Sequence, residues 1–545
     1  MIHENLLLII TLFFIMALLY LISQRLKIAY PIFLVMGGLG ISFIPGIPAI
    51  VIDPDLVFLI FLPPLLFEAA WESSWQQLWK WKRSILSLGF GLVLVTSLAI
   101  AYFSVALIPE FTLSLGFLLG GIISPPDAIA ATSVLRGLDV PKRAQTILEG
   151  ESLVNDAASL TIFRFALAAL LTGNFVFHAA LIDFVVLSVM GVFVGVSIAY
   201  VLYGIMRYWG GTSRIITPIT LIAPYLMYLV AEQFHWSGVM AVVSGGLLLS
   251  ARSSTFLNYQ TRQQTREVWA TVGFLLNGFV FTIIGLQLPL IVQGLEEYTV
   301  GEVIYYSLLI SALVIGIRIV LVYISFFVAQ FLSTNKSSLE PHPGLKFSFL
   351  IGWAGMRGVV SLASALAIPL TLADETTAFP HRNLILFLTF VVILITLVLQ
   401  GLTLPLVIKW LGIQETAEQI PAQKQIESLR LELNQLSLEH LEAHYSYEIE
   451  EYEAIERIQA QLVSYLFVTQ KTLLSKDQGS GLVTVQDLYR KVMLELIEVR
   501  RQGLGRIKKQ NRFDDDILRA KEKELDLRAG SLVTQIAHLT LTYNW

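Results

Sequence analysis

Apolar runs long enough to cross a bilayer recur from Asn5 to about Leu411, separated only by short polar breaks. A helix needs about 20 apolar residues to span a hydrocarbon core. A soluble chain of 545 residues would divide into several domains, each with a polar surface, yet here the mean hydropathy is +0.69 and only 14% of residues are charged. The bilayer is therefore the solvent. Because lipid offers the backbone no hydrogen bonds, an all-α polytopic membrane protein is the expected class.

Counting runs between charged or Pro/Gly breaks gives about thirteen spans, near 5–24, 29–46, 51–70, 84–108, 111–136, 142–172, 176–206, 214–232, 236–251, 266–290, 299–332, 345–372 and 382–411. Alternate loops carry the cations Arg25 and Lys27, Lys80 to Arg83, Arg136 to Arg143, Arg207 and Arg214, Arg252 to Arg266, and Lys336 and Lys346. The other loops carry Glu110, Glu232, Glu296, Glu297, Asp374 and Glu375, with Arg382 as their clear cation. Lys and Arg collect on the cytoplasmic side, which puts the N-terminus outside and the C-terminal tail in the cytoplasm of a cell-membrane protein. An odd number of spans keeps that alternation intact. Residues 1–412 form the transmembrane part.

From about Gln414 the composition turns to Glu, Gln, Leu, Lys and Arg with helical apolar spacing, as in Ile426 to Leu433, so 413–545 reads as a soluble helical tail. Gln478-Gly-Ser-Gly and Ala529-Gly break it into segments. It is a solvated appendage or a regulatory element. The net charge of −4 suggests no nucleic-acid partner, and the absence of cysteine excludes disulfides and thiolate metal sites. The eight histidines are scattered without metal-ligand spacing, and no enzyme or cofactor is indicated. His3 and Glu4 precede the first run where a signal peptide would be basic, so that run reads as a retained span.

Ionisable residues deep in a span cost roughly 2.5 to 3.5 kcal/mol each and need a partner or a purpose. The deep set is Glu68, Asp127, Glu149, Glu151, Asp156, Arg164, Arg318 and Arg357. The fifth span reads Gly120-Gly-Ile-Ile-Ser-Pro-Pro-Asp-Ala-Ile-Ala. Pro125 and Pro126 remove two amide donors, so the helix should break, with Asp127 at the positive start of its second half. Broken backbone at this depth lines a cavity or is buried in protein, and its carbonyls can hold a cation. The competing reading is a proline kink with Asp127 in a structural ion pair.

The sixth span reads Glu149-Gly-Glu-Ser-Leu-Val-Asn-Asp. Glu151, Ser152, Asn155 and Asp156 fall at i, i+1, i+4 and i+5, one contiguous helical stripe. Carboxylate, hydroxyl and amide oxygens are the hard ligands that Na⁺ accepts. Desolvation disfavours a bare carboxylate, so Asp156 can hold either a proton or a cation near neutral pH. That mutual exclusion suffices for exchange. The alternative is a polar seam between helices.

Arg318 stands alone in an apolar run and cannot lose its proton, so it needs a carboxylate, with Glu151 the candidate. Gly352-Trp-Ala-Gly-Met-Arg-Gly permits a second unwound stretch, with Arg357 facing the negative end of a half-helix. Interrupted spans in matching places suggest inverted repeats. Glu68, after Phe61-Leu-Pro-Pro-Leu-Leu-Phe, lines the approach to the site or lies at the interface. No partner is assigned to Glu149 or Arg164.

Taken together, Phe61-Leu-Pro-Pro-Leu-Leu-Phe-Glu, Asp127-Ala-Ile-Ala, Glu149-Gly-Glu-Ser-Leu-Val-Asn-Asp, the isolated Arg318 and Gly355-Met-Arg-Gly resemble, in order, the landmarks of the sodium/proton exchangers of the first monovalent cation:proton antiporter family. The resemblance covers roughly residues 5–412 and implies that Asp127 and Asp156 are ion-site carboxylates, that Ser152 supplies an oxygen, that Asn155 shapes the site and that Glu151 pairs with Arg318. It also implies a homodimer, with dimerisation helices at about 5–70 and 214–290 and a core at about 84–172 and 299–411 that moves like an elevator. Pro126-Asp127-Ala128 departs from the family's usual Thr-Asp-Pro, so a threonine ligand is missing. Asn155, where other classes have a second aspartate, resembles the electroneutral members and implies one Na⁺, Li⁺ or K⁺ per proton. A cation channel would show a filter loop or charged ring, and neither is evident. Another ion-coupled solute carrier is the remaining transport alternative, and the Gly-x-Gly-Asp setting of an intramembrane aspartyl protease is absent.

Overall fold

A computed structural model of the chain describes residues 2–26, 29–43, 54–135, 138, 140–172, 177–209, 212–295, 298–332, 344–372, 377–412, 422–474, 492–500, 503, 521 and 525. Among these the fold is all-helical, without a strand. The chain divides into two compact units, Met1–Glu415 and Thr416–Trp545. Several loop charges behind the orientation argument, namely Lys27, Arg136, Glu296, Glu297, Lys336, Asp374 and Glu375, lie outside the described residues, as do Gln478-Gly-Ser-Gly and Ala529-Gly in the tail.

In the first unit, nine helices among the described residues are long and apolar enough to cross a membrane, the first Lys82–Leu107 and the last Arg382–Leu411. Shorter apolar helices occupy Ile10–Leu26 and Tyr30–Ser42. The twelfth expected span is not among the nine; it is two short helices, Leu345–Trp353 and Val359–Leu366, with non-helical residues between them. The surface fits a lipid solvent. Phe14, Val189, Phe193, Leu308 and Phe327 point outward, while Glu151, Asn155, Arg318 and Arg357 are buried.

Lipid gives helices little hydrophobic reason to associate, so close backbone approach through small residues does that work. Gly116 and Gly120 of helix Leu113–Ile123 are spaced one turn apart, and a Cβ at either would press on the backbone of Ala101 or Ser97 in helix Val93–Leu107. Helix Leu113–Ile123 also packs on helix Lys142–Thr172. Two apolar clusters result. One gathers Leu118, Ile122, Ile351 and Phe390; the other gathers Phe67, Met227, Val242 and Trp269. Helix Lys142–Thr172 contributes to both, Ile147 and Phe163 to the first and Leu153 and Ala157 to the second.

The two proline pairs behave differently. Pro63 and Pro64 are carried inside the continuous helix Pro54–Glu72, whereas Pro125 and Pro126 fall in a true gap between helices Leu113–Ile123 and Ala128–Leu135. The difference lies in the next residue of each pair: Asp127 can cap a new helix, and Leu65 cannot. Wider π-type turns at Ser87–Leu92 and Thr396–Gln400 interrupt two further helices. In the second unit, helices Ala422–His444 and Glu453–Leu474 pack on each other, and Gln459 Nε2 donates to Glu442 Oε1 at 3.0 Å.

Candidate functional site: two broken helices and an acidic cavity

The gap after Ile123 and the gap after Trp353 touch. The Asp127 amide donates to the Met356 carbonyl at 2.7 Å, joining one unwound segment to the other. Asp127 Oδ1 accepts from the amides of Ile129 at 2.7 Å and Ala130 at 3.4 Å, capping its own half-helix. Its Oδ2 accepts from the Val359 amide at 3.4 Å, at the start of the other second half. One carboxylate thus answers the positive ends of two half-helices. Gly358 makes room for it, since a Cβ there would collide with the Asp127 carboxylate.

Arg357 does the converse. Fully buried, its Nε donates to the Ile123 carbonyl at 2.9 Å and its Nη1 to the Gly355 carbonyl at 2.5 Å, the negative ends of the two first halves. Its own amide donates to Thr396 Oγ1 at 3.0 Å, within one of the π-type turns. Sequence alone does not single out Thr396, because a threonine in an apolar run carries no distinguishing signal until a neighbour is known.

The polar stripe on helix Lys142–Thr172 serves three neighbours. Ser152 Oγ accepts from the Ala128 amide at 3.3 Å, and Asn155 Nδ2 donates to the Pro126 carbonyl at 2.9 Å, so both hold the broken segment. Glu151 turns away to Arg318 on helix Val300–Leu332, in a paired fork with Nη1 to Oε1 at 2.6 Å and Nη2 to Oε2 at 3.0 Å. Both side chains are almost wholly shielded from solvent. Gly355 leaves space for this guanidinium, and a Cβ there would meet Arg318. Asp156 is the odd member: it is buried, and among the described residues its carboxylate has no hydrogen bond or ion pair.

A cavity of about 580 Å³ lies beside this crossing, with Asp127, Ser152, Asp156, Glu68, Asn277 and Ser361 on its wall, while Glu151, Asn155, Arg318 and Arg357 do not line it. The cavity reaches the exposed pair Arg266–Glu72, whose atoms lie 3.4 Å apart. Glu68 packs against Gly273, where a Cβ would strike its carboxylate. Glu149 also lines the cavity. Arg164, for which the sequence offers no partner, bonds Glu232 Oε1 at 2.7 Å. Glu232 lies near the end of helix Ser213–Gln233, and no regularity in the sequence links the two. Among the described residues no group of His, Cys, Asp and Glu could form a resident metal centre.

Interrupted helices whose ends meet beside an acidic cavity are the architecture in which secondary transporters hold ions. The chain belongs to the sodium/hydrogen exchanger family: the family's transmembrane model matches residues 9–410. It is 34% identical over 388 residues to a sodium, potassium, lithium and rubidium/H⁺ antiporter of Bacillus pumilus, a match that takes in 69% of this chain and 57% of that protein. The chain therefore spans less than two thirds of that relative's length. It is 32% identical over 398 residues to the Na⁺/H⁺ antiporter ApNhaP of Aphanothece halophytica, covering 71% of this chain and 70% of the relative. In fold it is similar to the sodium proton antiporter MjNhaP1 of Methanocaldococcus jannaschii, with a TM-score of 0.60 and 21% identity over 76% of this chain and all of that one.

Proposed function

We propose that this multi-pass membrane protein exchanges Na⁺, or Li⁺ or K⁺, for H⁺, with proton and cation competing for the carboxylates of Asp127 and Asp156. The observation that carries the reading is the unengaged carboxylate of Asp156 on the wall of a cavity that also holds Asp127 and Ser152. A carboxylate kept from protein donors and reached by an aqueous cavity is free to take whichever positive ion arrives. Asp127 keeps one face for its caps and offers its charge to the same space. The relatives' named activities agree with this reading.

Transport follows from exclusion. A bound cation leaves as a single proton takes its place at the carboxylate pair, and each loaded form crosses in turn as the cavity opens to alternate sides. Asn155 and Ser152 shape the broken segment, Glu151 and Arg318 brace the helices around it, Arg357 holds the crossing, and Glu68 lines the approach. One proton moves per monovalent cation. In the same reading about thirteen spans are arranged as inverted repeats, with the core at about 84–172 and 299–411 moving against dimerisation helices at about 5–70 and 214–290 of a homodimer in lipid. The cavity reaches Arg266, a member of the basic loop set, so it opens to the cytoplasm, as does the tail 413–545. The chemistry required is binding and release, and no catalytic or cofactor step enters.

The test is reconstitution into vesicles holding a pH-sensitive dye. The wild-type protein should move protons only against an opposing Na⁺, Li⁺ or K⁺ gradient, and Asp156→Asn should abolish this flux while the protein remains folded. Proton flux unchanged in that variant, or electrical current without an opposing gradient, would overturn the proposal.

A further inference from the structure

Asn277 lines the same cavity from helix Tyr259–Gln293, a different element from those that carry Asp127 and Asp156. It is 4% exposed, and its Oδ1 has no hydrogen-bond partner among the described residues. The orientation of its amide is fixed by chemistry. Its Nδ2 donates at 2.9 Å to the Gly273 carbonyl, an atom that can only accept, so the amide oxygen must be the other atom. Gly273, one turn earlier, is also the residue against which the Glu68 carboxylate packs.

A buried acceptor left without a donor is a standing cost, which a donor or a positive ligand relieves. Within a cavity entered by small cations, an amide oxygen is a hard ligand suited to Na⁺ or Li⁺. It differs from the carboxylates in one respect: it does not titrate, so it interacts with the cation and never holds the proton. We infer that Asn277 Oδ1 contacts the transported cation in this cavity and helps select among Li⁺, Na⁺ and K⁺, while contributing nothing to proton binding. The inference rests on the transport reading above and adds a selecting group to it. Discrimination by such an oxygen depends on its distance from the ion, so its effect should be unequal for cations of different radius.

Asn277→Ala and Asn277→Ser, with wild type beside them, should be reconstituted with the pH dye and their initial rates measured against Li⁺, Na⁺ and K⁺ in turn. Asn277→Ala should raise KM for the preferred cation about tenfold, the scale of one lost contact to a charged group, and raise the others by different factors. Its kcat should stay within about twofold, since the uncharged amide takes no part in proton binding. Its pH profile at saturating cation should match wild type, and Asn277→Ser, which returns an oxygen on a shorter side chain, should recover part of the loss with an altered ranking of cations. Unchanged KM values, or one common factor for all three cations, would overturn the inference. Should the alanine variant fail to fold, the serine variant decides alone: a wild-type ranking and wild-type KM values reject the assignment. A wild-type protein without cation-driven proton flux would instead reject the transport reading itself, so the two failures are distinguishable.

Discussion

Asp127 and Arg357 occupy opposite poles of one crossing: the carboxylate accepts from amides at the starts of helices Ala128–Leu135 and Val359–Leu366, and the guanidinium donates to carbonyls at or just past the ends of Leu113–Ile123 and Leu345–Trp353. Four half-helix ends that would otherwise face each other unsatisfied are met by two side chains. The charges match the half-helix dipoles in sign, so each is stabilised where it stands.

That arrangement has no slack at Gly358. A Cβ there would collide with the Asp127 carboxylate, and Gly358→Ala should therefore displace it from the Val359 amide and from the cavity wall. The expected result is a fall in exchange rate of about tenfold or more, the scale of roughly 1.4 kcal/mol of lost interaction. Vesicle dye assays on the folded variant measure it, and a wild-type rate would contradict the packing.

The two site aspartates should differ in what they contribute to stability. Asp127 holds three amides, and Asp127→Ala should cost about 1–2 kcal/mol, the usual loss for a helix cap, read as a lower melting temperature without added cation. Asp156 makes no such bonds, and Asp156→Ala should leave the melting temperature nearly unchanged or raise it. Equal losses in both variants would mean that Asp156 has a structural partner after all.

Arg318 should be needed for folding stability. With Glu151 buried beside it, Arg318→Met strands a carboxylate in a dry interior, at an expected cost of about 3–5 kcal/mol. The double variant Glu151→Gln with Arg318→Met should recover much of that, because the unpaired charge is gone. A single variant with wild-type thermal stability would argue that the pair is dispensable.

Competition between proton and cation fixes the sign of a pH effect. As pH falls, a larger share of the Asp127 and Asp156 carboxylates is protonated and fewer are open to the cation, so the KM for Na⁺ should rise. The maximal rate at saturating Na⁺ should change much less over the same range. A maximal rate that falls with KM constant would point to a proton acting elsewhere.

Arg164 and Glu232 form a contact of another kind. Half of the Arg164 side chain is exposed, and the pair is far less enclosed than Glu151 and Arg318. Arg164→Met should thus shift the melting temperature by no more than a few degrees, in clear contrast to Arg318→Met.

Much of this molecule can be read along the chain because the bilayer imposes a simple code. Apolar runs give helices, and a deep charge must have a reason to be there. Pro125-Pro126-Asp127 and the glycines around Arg357 mark broken helices because they act on their own backbone. The stripe Glu151, Ser152, Asn155 and Asp156 follows from helical period alone. Arg318 points to a carboxylate because a guanidinium in hydrocarbon has few other options.

What the period leaves open is the direction each group takes around the helix and which neighbour it meets. Glu151 and Asp156 share a stripe, yet one is locked to Arg318 and the other is left to the cavity. Thr396 and Asn277 carry no signal of their own, since their importance lies in the Arg357 amide and in a cavity brought near by distant segments. Local sequence determined the helices, their breaks and the placement of charge at depth, because these depend on backbone chemistry and the solvent. Only the tertiary structure decided which charges neutralise each other and which remains available, because that depends on helix rotation and packing between segments far apart in the chain.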